Sequence, residues 1–205
     1  QIAGLIGAAS ALSDPAVLQD LSGSIVLMAV PAEEYVEVEY RYGLVKSGEL
    51  EFMGGKPELI ARGEFDDVDI AMMIHTHSRP DENGMASVTE SNNGCVVKQV
   101  RYIGTAAHAG GAPHLGINAL YAAHVGITGI NALRETFRDE DSVRVHPIIT
   151  HGGEIVNVIP SEVTLETYVR GKTTEVIEAA SAKVDRAIKA GALALGAQVE
   201  IITMP

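Results

Sequence analysis

Residues 162–170 alternate without a break. Val163, Leu165, Thr167 and Val169 face one way, and Glu162, Thr164, Glu166, Tyr168 and Arg170 face the other. A period of two with one apolar side is a strand with one face on a core and one in water. The flanking segments complete the pattern. Residues 96–103, 143–150 and 199–203 are strand-like. Residues 117–133 read as a helix, with Ile117, Leu120, Ile127 and Ile130 near one face. A second helix starts after Thr173, a suitable N-cap, with Glu175 favouring its positive end. It runs to about Leu195, with Ile177, Ala180, Val184 and Ile188 as its inner stripe. The order is β-α-β-β-α-β. That is the split βαβ, ferredoxin-like arrangement: a four-stranded sheet, two helices on one face, and a polar second face.

The first part of the chain reads differently. Residues 24–30 and 68–74 are short apolar runs of the kind that parallel sheets bury on both faces. Residues 2–12 read as a helix ended by Ser13-Asp14-Pro15, and a short helix is expected over residues 57–61, opened by Pro57. Residues 35–53 carry no clear pattern. The polar stretch 80–94 reads as a linker. The fold class is therefore α/β. Part of a parallel-strand αβα domain occupies residues 1–93, and a ferredoxin-like lid or dimerisation domain occupies residues 94–205.

Composition removes several function classes. A net charge of -12 repels phosphate backbones and anionic lipid, so neither nucleic acid nor a membrane surface is an expected partner. Tryptophan is absent and aromatics are scarce, which leaves no stacking platform for single strands. Cys95 is the only cysteine, so no internal disulfide can form, and a reducing, cytoplasmic compartment is expected. The chain begins at Gln1. The apolar run 2–12 is too short to span a bilayer and lacks the basic start of a signal peptide.

Candidate chemistry gathers at segment ends. Glu33 and Glu34 follow the run 24–30, and His75 follows the run 68–74, with His77 two residues on. Open α/β sheets place ligands beyond the carboxyl ends of their strands. Carboxylate and imidazole are donors that zinc accepts. The same residues also fit a solvated acidic turn and a structural histidine. The Gly-rich stretch from Gly104 to Leu120 holds His108 and His114. It lacks the Lys-Ser/Thr ending of a phosphate loop and the spaced glycines of a dinucleotide site. Asn157 precedes the alternating strand and Arg170 ends it. Each of these, taken singly, also has an ordinary structural explanation.

In combination the segments resemble the metal-dependent aminoacylase and carboxypeptidase family. This co-catalytic zinc group includes auxin-conjugate amidohydrolases and aminobenzoyl-glutamate hydrolases. The residues that carry the resemblance are Pro31-Ala32-Glu33-Glu34, Ala107-His108-Ala109, Pro113-His114-Leu115-Gly116-Ile117-Asn118-Ala119-Leu120 and Asn157-Val158-Ile159-Pro160. Met72-Met73-Ile74-His75 and the long insert after Glu34 suggest the branch that contains aminobenzoyl-glutamate hydrolase.

The resemblance implies Glu33 as general base, with Glu34 and His75 as metal ligands. It implies two zinc ions per site, with manganese the alternative. It implies that His108 stabilises the oxyanion in a partner subunit's site, and that Asn157 and Arg170 bind the substrate. The implied reaction is hydrolysis of an N-acyl amino acid, aminobenzoyl-glutamate-like or dipeptide amide bond by a metal-activated water, in a homodimer formed through the lid. The family's first metal-ligand motif and its last ligand histidine have no counterpart here. An internal piece, inactive alone, is therefore expected. The competing expectation is a ferredoxin-like binding or dimerisation module without chemistry, in which Glu33, Glu34 and His75 are incidental.

Overall fold

The computed structural model describes residues 2–34, 36–75, 88 and 91–204. The chain falls into two compact units, residues 1–87 and 88–205.

In the second unit five strands form one antiparallel sheet, β1 (Gly94–Ile103), β2 (Arg144–Val145), β3 (Ile148–His151), β4 (Glu162–Gly171) and β5 (Gln198–Met204). The order is β2-β4-β1-β5, and β3 also pairs with β4. The long central pair runs from Gly94 opposite Gly171 to Ile103 opposite Glu162. β2 and β3 follow one another along the other edge of β4. The expected strand 143–150 is thus two short pieces separated around Pro147, which has no N–H for the ladder. With these two pieces taken as one, the ferredoxin-like order holds.

Helices α5 (Ala119–Ala132) and α6 (Thr174–Leu195) pack on each other and on this sheet. The core lies between them. It contains Val100 and Tyr102 of β1, Val163, Leu165 and Val169 of β4, Ala122, Ala123 and Ile130 of α5, and Ala180, Val184 and Ile188 of α6. Burying each large aliphatic side chain contributes about 1.5–3 kcal/mol. The alternation in β4 is realised, since Val163, Leu165, Thr167 and Val169 are all buried. Thr173 caps α6 by accepting from the Val176 N–H at 3.4 Å, and Gly196, at φ 72°, ends it in the left-handed region. Asn118 caps α5 by accepting from the Tyr121 N–H at 3.0 Å. α5 begins two residues later than the periodicity suggests because Ile117 is held by Thr105 in a β-bridge. The two helices touch backbone to backbone: a Cβ on Gly191 would lie 2.4 Å from the Ala122 carbonyl oxygen and 2.6 Å from the Gly126 nitrogen. The other sheet face carries a charged ladder in which Arg101 pairs with Glu162 and Glu200.

The first unit is helical among its described residues, with α1 (Ile2–Leu12), α2 (Pro15–Leu18), α3 (Val38–Lys46) and α4 (Gly55–Ala61). α1 matches the expected span. α4 starts two residues before Pro57. α3 lies in the segment without a clear pattern. The runs 24–30 and 68–74 differ from expectation. Neither is paired in a sheet, and Val26 and Met72 are 68% and 94% exposed. Their composition suits burial on both faces, which requires strand neighbours and covering helices. The described residues of this unit provide no ladder for them. No helix among the described residues is long and apolar enough to cross a membrane.

Candidate functional site

The Gly-rich turn is built by close backbone approach. After β1, the Gly104 N–H donates to the Ser161 carbonyl at 2.7 Å, and Thr105 and Ile117 exchange two bonds of 2.9 Å. A Cβ on Gly104 would lie 2.1 Å from the Ile117 oxygen, so only glycine fits there. The turn then joins the segment ahead of β4. Ile159 N–H donates to the Ala107 carbonyl at 2.9 Å, Ala109 N–H donates to the Asn157 carbonyl at 3.0 Å, and His108 bridges to Val158.

This stitching brings the His108 and Asn157 side chains together, with Nε2 and Nδ2 3.2 Å apart. The other ring nitrogen, Nδ1, accepts from the backbone N–H groups of Gly110 at 3.2 Å and Gly111 at 2.8 Å. Both residues are exposed. A surface imidazole held at both nitrogens is aimed rather than free to rotate.

Arg170 is not part of this pair. It stands eight residues beyond Glu162 on β4, about 27 Å away at the usual rise of a strand. It lies at the opposite end of the sheet from the turn that follows Ile103. Its guanidinium covers the Tyr168 ring at 5.0 Å. It sits opposite Cys95 on one side and Arg144 on the other. Two like charges directly opposite each other on a sheet are unfavourable unless an anion or water separates them.

In the first unit Glu33 follows Ala32, whose φ of 51° places a non-glycine residue in the left-handed region at a cost of about 1 kcal/mol. The Glu33 carboxylate accepts from Lys56 Nζ at 2.8 Å. That hydrogen bond, the Lys56 charge and, more weakly, the His75 charge hold its carboxyl below the usual carboxylate range. α4 presents Lys56 because Gly55 packs on Pro31: a Cβ there would lie 1.8 Å from the Pro31 oxygen. Lys56 is the residue that sequence reasoning missed. A signal existed, since a cation in the first turn of a helix opposes the helix dipole and so needs a partner.

The Glu34 backbone carbonyl accepts from Arg41 at 2.6 Å, and Glu34 itself is exposed. His77 lies outside the described residues. Among those described, no three His, Cys, Asp or Glu side chains stand close enough to hold a metal ion. Glu34 and His75 have donor chemistry that zinc accepts, but a zinc centre takes three or four protein donors. The described residues therefore do not make a metal site by themselves.

Residues 94–194 match the family model of the peptidase dimerisation domain. Over 200 residues the chain is 31% identical to the Xaa-Arg dipeptidase of Mus musculus, covering 96% of this chain and 41% of that protein. It is 35% identical over 117 residues to one of the polypeptides of the Escherichia coli p-aminobenzoyl-glutamate hydrolase, covering 57% of this chain and 23% of the relative. A solved chain from Burkholderia cenocepacia superposes with a TM-score of 0.50 at 21% identity, over 55% of this chain and 28% of that one, a likeness of fold. The chain spans less than half the length of these curated relatives.

Proposed function

We propose that this chain, whose residues 94–194 match the peptidase dimerisation domain, serves the hydrolysis of an amide bond in an N-acyl amino acid, an aminobenzoyl-glutamate-like conjugate or a dipeptide. The observation that carries this reading is the exposed His108 ring pinned beside Asn157. Imidazole and carboxamide are donors for the negative charge that develops on the carbonyl oxygen when water attacks. Glu33 is the proton carrier: it accepts the proton of the attacking water and passes it to the leaving nitrogen. To do so it has to release or share its bond to Lys56. Arg170 offers a planar fork to the substrate's carboxylate.

The length of β4, about 27 Å from Glu162 to Arg170, supports a site shared between two copies. A dipeptide spans only about 7 Å, so His108, Asn157 and Arg170 of one copy do not meet on one substrate. In a homodimer, His108 and Asn157 of one copy serve one site and Arg170 serves the other. Zinc or manganese enters this reading only with donors beyond Glu34 and His75. For that reason we place the activity in a protein of the relatives' length, with these 205 residues inactive alone. The single cysteine supports a reducing, cytoplasmic location.

The test is turnover of a panel of N-acyl amino acids and dipeptides by a protein of that length. Its His108→Ala form should lose about 10²–10³ in kcat, the usual effect of deleting one oxyanion donor. Arg170→Ala should raise KM for substrates that carry a carboxylate. Unchanged kinetics in both variants would overturn the roles given to His108 and Arg170, and no turnover of any substrate in the panel would leave a dimerisation module without chemistry.

A further inference from the structure

Holding an exposed histidine at both nitrogens has a chemical consequence. His108 Nδ1 accepts two backbone N–H groups, so it carries its lone pair and no proton. A neutral imidazole has one such nitrogen, and the proton then sits on Nε2. We infer that Gly110 and Gly111 are positioning residues whose backbone amides hold His108 as the Nε2–H tautomer, with Nε2 the ring's one donor, turned toward Asn157.

The Asn157 contact follows from this. Nε2 and Asn157 Nδ2 stand 3.2 Å apart, but with the proton on Nε2 both are donors and no bond can form. The oxygen and nitrogen of a carboxamide exchange places by a half-turn. The tautomer therefore requires Oδ1 toward Nε2, so that the carboxamide covers the imidazole donor at rest. When an oxyanion arrives, the same half-turn aims Nδ2 at it alongside Nε2–H, and one side chain changes from cover to second donor. The backbone is placed for this role. A Cβ on Gly111 would lie 3.3 Å from Nδ1, so the strand of chain runs against the ring edge, and the Ala112 N–H closes the turn on the His108 carbonyl at 3.0 Å. The purpose of the device rests on the proposed oxyanion role, whereas its geometry does not.

The test is a long-range 1H–15N correlation spectrum of the 15N-histidine-labelled 205-residue chain near pH 8, where an imidazole is ordinarily neutral. The His108 signals are those missing from His108→Gln. The expected pattern is a single tautomer, with Nδ1 in the unprotonated range and Nε2 in the protonated range. Gly111→Pro deletes the 2.8 Å N–H and should shift both signals toward an averaged mixture. Gly111→Ala keeps the N–H and should keep the original pattern. A protonated Nδ1, an averaged pair in the unaltered chain, or no change in Gly111→Pro would overturn the inference. If Gly111→Pro does not fold, the unaltered chain and Gly111→Ala decide. No turnover is measured, so failure of the hydrolase reading leaves this result standing, and the reverse also holds.

Discussion

Asp185→Ala should destabilise the second unit far more than Lys98→Met does. Lys98 lies on β1 with no exposed surface, beneath α6. Its ammonium stands 2.7 Å from Asp185 Oδ1 and donates to the Thr203 hydroxyl at 2.7 Å. The Asp185 contact is an ion pair without hydrogen-bond alignment. Removing one partner of a buried pair leaves the other charge unpaired, at about 3–5 kcal/mol. Asp185 keeps 28% of its side chain exposed, so water reaches part of the gap and the low end, about 3 kcal/mol, applies. In a domain of this size that lowers Tm by roughly 10–20 °C. Lys98→Met removes the buried charge and fills its slot with an unbranched apolar chain. Asp185, partly exposed, then turns its buried Oδ1 out to water, Thr203 loses one bond, and the loss is about 1 kcal/mol. The double variant should match Lys98→Met alone, giving a coupling of about 3 kcal/mol. Urea unfolding followed by helix circular dichroism measures all four proteins. Equal losses for the two single variants, with additivity in the double, would refute the argument that the lysine charge is truly buried.

Gly191→Ala should also destabilise, although alanine is the better helix former by about 1 kcal/mol. The added methyl meets the Ala122 carbonyl and the Gly126 backbone, so overpacking of about 1–3 kcal/mol or more should outweigh the propensity gain in the same unfolding assay. A more stable variant would mean that the helices separate freely. The acid response has a defined sign. Glu33 and Glu162 have folded carboxyls below the ordinary value, chiefly through their bonds to Lys56 and Arg101. Their contributions are complete above the ordinary carboxylate range and fade as pH falls through the lowered values. Both pairs are partly exposed, so the loss should be small and should shrink in high salt, measured as urea midpoints between about pH 6 and about pH 3.

The elements that could be read directly were those with local causes. The alternation of β4, the Thr173 cap and the apolar stripe of α6 are written within a few residues, and the structure keeps all three. α3 was illegible because Val38–Lys46 has no apolar stripe and its preceding residue, Glu37, sits at φ 54° instead of in an ordinary cap. The split of β2 from β3 was present in Pro147 but was masked by the apolar residues around it. Residues 24–30 and 68–74 show the limit of composition. Apolar side chains announce that burial is favourable, but a strand exists only when another strand pairs with it.

The candidate site divides in the same way. The types of His108, Asn157, Glu33 and Arg170 were visible, but 49 residues separate Asn157 from His108. Their meeting depends on the bonds between residues 104–109 and 157–161, within a turn whose start at Gly104 needs glycine to pass against the Ile117 backbone. Lys56 reached Glu33 through α4 in the same non-local way. Sequence alone determined the periods, the caps and the chemistry on offer, because those are short-range properties of the chain. The folded sheet decided which groups meet, placing His108 with Asn157 and sending Arg170 to the far end of β4, because register and backbone approach are shared properties of residues far apart in the chain.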